Sequence, residues 1–576
     1  MKLNIHDESV CTSLTTKKGV QIVRWGLYAD DHFTEDFADE LQVSIQNGSM
    51  LPLTCRVEPG IFIMDNPQRG VQMYSDAAVP TRLYYSVQGD TLYLAHTDKK
   101  AAEMMGTSDK IDYAGLYQRF TYGSTIGPRT RYDGVFVLEP GSIVSIGANG
   151  KIERSFITFH KFHRVDVGEI WEALCDAVSG YSVDRVGLML SGGYDSRILL
   201  AACRERKIPL DSVYTHGLHG SNELQIAYMV AKHARVKRII QVDAMQEMYG
   251  SADELKSFFE ELGILYMSFW RLAGKYFQSR NAVPICGVQA ETLNGQYLNG
   301  LLLGSYSRPQ RYMIGLRGYG AYVKSSSTFS DFCRKVALPV PMKYFRPELR
   351  GNLDGALEIT RDDLARLGDA YRSSCDSWED VFERFLCDHD GSKLMAQQSN
   401  ILRMHVPAIT PYTNRRVHCL SFALDDRKKP HGSAMREILR LYAKDLAKYK
   451  CSKSFLPAYF PDAAHLVFRT LRSLGDRRRI KQFLSSNGVD QKGLEKNSWV
   501  GGDVWVRNGN QIEEFRRLLS GNILVKEFMR IWLDKIAGYE IALGDGNDLF
   551  RFIEMDLLQE SIGVRPLEKV TKLASA

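Results

Sequence analysis

A six-residue stretch, Ser191-Gly192-Gly193-Tyr194-Asp195-Ser196, constrains this chain more than any other feature. It follows a continuous apolar run, Val186 to Leu190, of the kind that forms a strand buried on both faces. It precedes an alanine-containing apolar stretch, Ile198 to Cys203, with helical character. Strand, glycine turn and helix N-terminus together make a seat for phosphate. Glycine lets the backbone approach the anion, and unpaired N–H groups and the helix dipole point at it. Ser191 and Ser196 add hydroxyl donors, and Asp195 offers a hard oxygen to a magnesium ion carried by the phosphates. A tight turn without a ligand needs only the two glycines. Five specified residues in six positions arise by chance in such a chain with a probability on the order of one in a thousand.

The motif resembles the pyrophosphate-binding loop, S-G-G-x-D-S, of the N-type ATP pyrophosphatases. Within them the chain resembles asparagine synthetase and its relatives, among them β-lactam synthetase and the cyclases of lasso peptides. It has no Walker A loop, since G-x-x-x-x-G-K-[ST] does not occur.

A chain of 576 residues is expected to form two or more domains with real cores. With 25% charged residues and a net charge of only +6, composition does not call for a nucleic-acid partner. The ten cysteines are scattered without metal spacing and read as reduced, mostly buried thiols. The N-terminus MKLNIHDESV lacks an apolar signal core and no run has the length of a membrane span, so a soluble, cytoplasmic protein is expected.

Residues 1 to 160 are rich in short alternating segments bounded by turns. Val20 to Tyr28, Ile61 to Met64, Leu83 to Val87, Thr91 to His96, Gly134 to Glu139 and Ile143 to Ile146 predict strands in a layered domain. The order of Tyr74-Ser75-Asp76, Leu83-Tyr84-Tyr85, Thr125 to Thr130 and Leu138-Glu139-Pro140-Gly141 resembles the glutaminase domain of asparagine synthetase. That family attacks glutamine with a cysteine exposed as its first residue. Position 2 here is Lys2, and Cys11 lies in CTSLTT, unlike the family's Cys-Gly-Ile start. The resemblance therefore implies a degenerate, Ntn-type glutaminase fold without glutaminase activity. The amine would then come from the substrate or from free ammonia.

From 161 to 460 the order of elements changes. Asp211 to His216 and Arg238 to Val242 predict further strands, with Glu223 to Lys232 as a helix capped by Ser221 or Asn222. This β-α-β-α-β order predicts an α/β fold with a doubly wound parallel sheet, ligands sitting at the carboxyl ends of its strands. By the resemblance, backbone near Leu190 and Thr215 would hold adenine. His216 and His219 read as turn or surface histidines rather than catalytic bases.

A second motif runs from Ile285 to Gly295, ICGVQAETLNG. It resembles the family's G-[DE]-G-x-D-E-x-x-G-G, with Gly287 and Gly295 as framing glycines and Glu291 on the metal-binding aspartate. Val288, Gln289 and Thr292 depart from the pattern, replacing an acidic residue, a glycine and a glutamate. Pro411-Tyr412-Thr413-Asn414-Arg415 resembles the family's V-P-F-L-D segment. KCSKSFLP falls where the family has R-x-K, so Lys453, before Lys450, is the lysine expected to contact pyrophosphate and stabilise the adenylation transition state. Glu379 and Glu383 are nominated as bases for the amine on the analogy of β-lactam synthetases. Residues 461 to 576 read as a polar helical extension, with a basic cluster at Arg477-Arg478-Arg479.

Together these readings imply an ATP- and magnesium-dependent ligase working through an acyl-adenylate. First choice is a lasso-peptide-type cyclase acting on a carboxylate of a precursor peptide, alongside a leader-processing protease. Amidation of a small-molecule or glycan carboxylate, asparagine synthesis itself and a non-catalytic ATP-binding scaffold are the alternatives.

Overall fold

The computed structural model describes residues 1–468 except 8–10, 18, 27, 29–31, 67–69, 148, 159–164, 182, 218–220, 244–250, 266, 295–344, 346, 376–377, 426–427, 430–431, 453 and 466. Nearly all of the helical extension expected from 461 onward, with its arginine cluster, therefore lies outside the described residues.

The N-terminal region is two stacked sheets. Strands β2 (Cys11–Thr15), β3 (Gln21–Trp25), β4 (Ile61–Asn66), β5 (Gly70–Ser75), β9 (Ser142–Ile146) and β10 (Ile152–Phe156) form an antiparallel sheet in the order β10-β9-β5-β4-β3-β2. Strands β1 (Lys2–Ile5), β6 (Tyr84–Gln88), β7 (Thr91–Ala95) and β8 (Val135–Val137) form the other, in the order β1-β7-β6-β8. The period-two alternation decides how they stack. Val23, Trp25, Ile61, Ile63 and Met73 face Tyr85, Leu92 and Leu94 between the sheets. Ile22, Phe62, Met64 and Tyr74, one residue out of phase, face helix α1 (Glu35–Asn47) on the outside. Helices α2 (Asp98–Met105) and α3 (Tyr113–Tyr122) cover the second sheet, giving four layers. Cys11 lies within edge strand β2, its backbone opposite Trp25.

The second part is the predicted doubly wound sheet. Strands β11 (Val186–Met189), β12 (Leu210–Gly217), β13 (Ile239–Asp243) and β14 (Val283–Ile285) run parallel in the order β13-β12-β11-β14. All four residues of β11 are buried, as its continuous apolar run requires. Helices α4 (Val167–Ser179) and α5 (Asp195–Glu205) pack on one face. Helices α7 (Ala252–Leu262) and α8 (Trp270–Arg280) pack on the other. Gly187 is obligatory for that second face: a Cβ there would lie 2.2 Å from the Phe277 ring of α8. Strand order reverses between β11 and β14, which opens a crevice at their carboxyl ends.

The two parts share a buried interface. Arg415, 4% exposed, forms two 2.7 Å bonds to Asp76, 1% exposed, and donates to the Val57 carbonyl. Asp76 also accepts from the Gly60 amide at 3.0 Å. The aspartate of the glutaminase-like motif thus fastens the sandwich to the helix Arg415–Ala423. Asn414 caps that helix, accepting from the Arg416 and Val417 amides. The described cysteines are free thiols, all buried except Cys11 and Cys55. Among the described residues no helix is long and apolar enough to cross a membrane.

Removing one partner of the buried pair leaves an uncompensated charge. Arg415→Met is expected to lower unfolding stability by about 3–5 kcal/mol, read from denaturant melts. A loss below about 1 kcal/mol would show that Asp76 is solvated in the folded protein.

Candidate nucleotide-binding site

The turn after β11 is shaped by its own side chains. Ser196 Oγ accepts the Ser191 amide at 2.9 Å and lies 2.9 Å from Ser191 Oγ, which accepts the Gly193 amide at 3.2 Å. Whichever hydroxyl donates within this pair, the other keeps its proton for a third oxygen. The Gly192 amide donates to Glu223 at 2.6 Å. Glu223 stands in the first turn of α6 (Asn222–His233), whose cap Ser221 accepts from the Leu224 amide as its sequence position implied.

Behind the turn the Gly192 carbonyl accepts from the Ser452 amide at 3.0 Å and from Arg197 at 3.2 Å. Arg197 is fully buried and donates also to the carbonyls of Tyr449 and Lys450, each at 2.8 Å. Tyr194 donates to the Leu456 carbonyl at 3.1 Å. The R-x-K-like segment therefore adjoins the turn, and Ser452 and Ser454 are buried there. Lys453 itself lies outside the described residues, as do His219, Gly295 and the side chain of Glu379.

From the other side comes the second motif. β14 leads through Gly287, where a Cβ would sit 3.7 Å from that of Asp195, to the short helix α9 (Glu291–Asn294). Gln289 has a left-handed backbone (φ 64°), the conformation that the family's glycine adopts without cost. Its side chain reaches the N-terminal sandwich and donates to the Val79 carbonyl at 3.1 Å. Thr292 turns to Cys387 Sγ at 3.5 Å, so the position of the family's second carboxylate faces the interior. Asn294 approaches Asp195 at 3.4 Å. Tyr412 donates to the Asp195 carbonyl at 2.8 Å, and its phenol is pushed well up by burial and then by the charges of Asp195 and Glu291.

These elements enclose a cavity of about 240 Å³ lined by Leu190, Ser191, Asp195, Ser196, Thr215, Gly287 and Glu291. Gly192 and Gly193 complete the adjoining turn. Tyr214 lines it too, at the carboxyl end of a strand where the sequence places the ligand, as do Glu223, Trp270 and Gln398, which the sequence does not place there. Glu223 alone carried a signal, as the acidic residue following a cap. The others arrive from distant segments, with no local mark. His216 ends the predicted strand and lies on β12; read as a turn or surface side chain, it packs against Phe269 and Trp270 and lines the cavity. Glu383 is committed elsewhere, in a buried ion pair with Lys429 at 2.6 Å.

A glycine turn at the switch point of a parallel sheet, with two carboxylates lining the cavity beside it, is an α/β arrangement of the kind that takes nucleotides. Residues 169–454 match the asparagine synthase family, so the chain carries an asparagine synthase domain and is an ATP-dependent carbon–nitrogen ligase. No curated protein matches the chain. Among solved structures it is similar to an NH3-dependent NAD synthetase from Campylobacter jejuni, solved in complex with nitrate. Identity is 17% over 35% of this chain and 96% of that one, with a TM-score of 0.18. At that score the likeness carries no argument.

Burial lowers the His216 imidazole to about 4. It is therefore neutral at pH 7 and gains its proton only as pH falls toward that value. An NMR titration, assigned with His216→Gln, is expected to show its signals unchanged between pH 6 and 8. A midpoint near 6.5 would contradict a ring desolvated against Trp270.

Proposed function

We propose that the Ser191–Ser196 turn binds the pyrophosphate portion of ATP and that the enzyme activates a carboxylate as its acyl-adenylate. The observation that carries this reading is the convergence of that turn, Asp195 and Glu291 on one cavity at the β11/β14 switch point. The carboxylate oxygen attacks the α-phosphorus and pyrophosphate leaves. An amine then attacks the acyl carbon, AMP leaves, and the surplus proton passes to a base. Carboxylate alone is unreactive because its leaving group would be oxide; adenylation supplies a better one.

Asp195 and Glu291 would hold magnesium. Two hard oxygens combined with phosphate oxygens and water suit its octahedral preference, and it needs no larger protein cage. Bound there, the ion would neutralise charge on the leaving pyrophosphate. Ser191, Ser196 and the amides at the helix end of the loop would bind and orient the same group. Leu190 and Thr215 at the ends of β11 and β12 would frame adenine, and Gly287 leaves room beside Asp195. Lys453, adjacent to Ser452, is assigned the developing negative charge.

For the amine we favour one already present in the substrate, as in a lasso-peptide-type macrolactam cyclase that joins a peptide N-terminus to an Asp or Glu side chain. The support is a synthetase loop beside an N-terminal sandwich in which Cys11 begins edge strand β2, paired with Trp25. A precursor peptide and its leader-processing protease are the partners this reading requires.

Asp195→Ala is expected to reduce carboxylate-dependent ATP–pyrophosphate exchange by about a hundredfold or more. Exchange within threefold of wild type would refute the site. With candidate peptides, loss of one water from the peptide together with AMP release is the expected cyclase outcome; AMP release only with a small acid plus ammonia would overturn it.

A further inference from the structure

A second cavity, of about 830 Å³, lies away from the nucleotide site between the N-terminal sandwich and the helix Ala356–Arg372. Its size is that of a small-molecule site. Most of its charges are already used. Arg129 bridges Asp112 at 2.6 Å and Asp363 at 2.8 Å, and Arg366 also pairs with Asp363. Three charged residues lining it form no ion pair among the described residues: Asp133, which is exposed, and Glu139 and Arg154. Glu139 is only 7% exposed, and its Oε1, 3.6 Å from where a Gly127 Cβ would be, has no hydrogen-bond partner among the described residues. Lys393, the cation that acts most strongly on it, gives two of its three protons to the Thr125 and Gly127 carbonyls at 2.6 and 2.5 Å. Arg154 donates through Nε to Tyr85 at 3.0 Å and lies over Phe136 at 4.5 Å, but forms no ion pair among the described residues.

An unsatisfied buried carboxyl is costly and persists where a ligand completes it. A cation or donor would suit Glu139, and an anion would suit Arg154 at the exposed end. The wall between them is aromatic and aliphatic, from Phe136, Phe156 and Leu367. We propose that this cavity binds an amino-acid-like zwitterion with an apolar body, its ammonium on Glu139 and its carboxylate on Arg154. The site goes beyond the ligase reading and does not depend on it.

Burial lifts Glu139 to about 7; Lys393, Arg154 and Arg384 oppose the shift and Asp388 adds to it. The carboxyl is therefore increasingly ionised from pH 6 to 8, and ammonium binding should strengthen in that direction.

Calorimetry on the full-length protein tests this with L-phenylalanine, phenethylamine and 3-phenylpropionate. Saturable binding of L-phenylalanine is expected, weakened about tenfold or more by Glu139→Gln and by Arg154→Met. Phenethylamine should respond only to the first variant and 3-phenylpropionate only to the second. Ala370→Trp, which fills the cavity from the helix side, should abolish binding even if Glu139→Gln fails to fold. Absence of saturable L-phenylalanine binding to wild type, or affinity unchanged in Ala370→Trp, would overturn the proposal. So would loss of that binding in Asp195→Ala, which would put the ligand in the nucleotide cavity instead.

Discussion

Arg197 holds together everything that the nucleotide site requires. Its guanidinium is fully buried in α5, where it bonds the carbonyls of Gly192, Tyr449 and Lys450. Burying a guanidinium is unfavourable unless its donors are met. Here carbonyl dipoles from two distant stretches meet its two terminal amino groups, so the turn at 191–196 and the segment near 450 are fixed by the same charge. A lysine could not span that fork, because its three donors radiate from one point. The geometry of the phosphate seat is thus inherited from a residue just past the motif.

The N-terminal sandwich contributes to the site without entering it. Three segments that build the cavity are each tied to it: Gln289 to Val79, Ser399 to Pro80, and Arg415 to Asp76. These positions flank Glu291, Gln398 and Tyr412 respectively. Lys393, in the π-helical segment Cys387–Met395, is held by the Thr125 and Gly127 carbonyls. The N-terminal sandwich therefore has a physical role as the back wall of the crevice. A hydrophobic cluster that joins Ala101 and Tyr117 to Met189 and Phe277 makes the same point with apolar contacts.

How much of this was legible depended on range. Strand β11, the turn and α5 could be read directly because burial on both faces, glycine and helical spacing are local signals. The strands of the sandwich were found with ends one to three residues off: Val20 to Tyr28 was read where β3 occupies Gln21–Trp25. β5 has no counterpart in that reading although it is mostly buried, and neither have β1, β2 and β10. The last three carry exposed and half-exposed residues at positions where alternation gives little contrast. Trp270, Gln398 and Tyr412 were invisible as site residues because nothing local marks a side chain that reaches the turn from a distant stretch of sequence. His216 reads as a surface histidine because it ends its predicted strand before a turn, while Phe269 and Trp270, from a distant stretch, half-bury its ring.

The irregular second motif becomes intelligible once its surroundings are included. A left-handed backbone costs a non-glycine residue roughly 1–2 kcal/mol. Gln289 adopts it while making a buried hydrogen bond to Val79, a contact glycine cannot make. The sequence change at 289 thus exchanges backbone freedom for a tie between the two parts of the chain. At 292 the exchange runs the other way. A glutamate facing Cys387 would be a buried carboxylate without a cation, whereas threonine is satisfied by the thiol. In the proposed reading the carboxylate left to this motif is that of Glu291, the first residue of α9, which lines the same cavity as Asp195. Departures at 289 and 292 are therefore consistent with a working anion site, because neither removes an oxygen from the face that the nucleotide would meet.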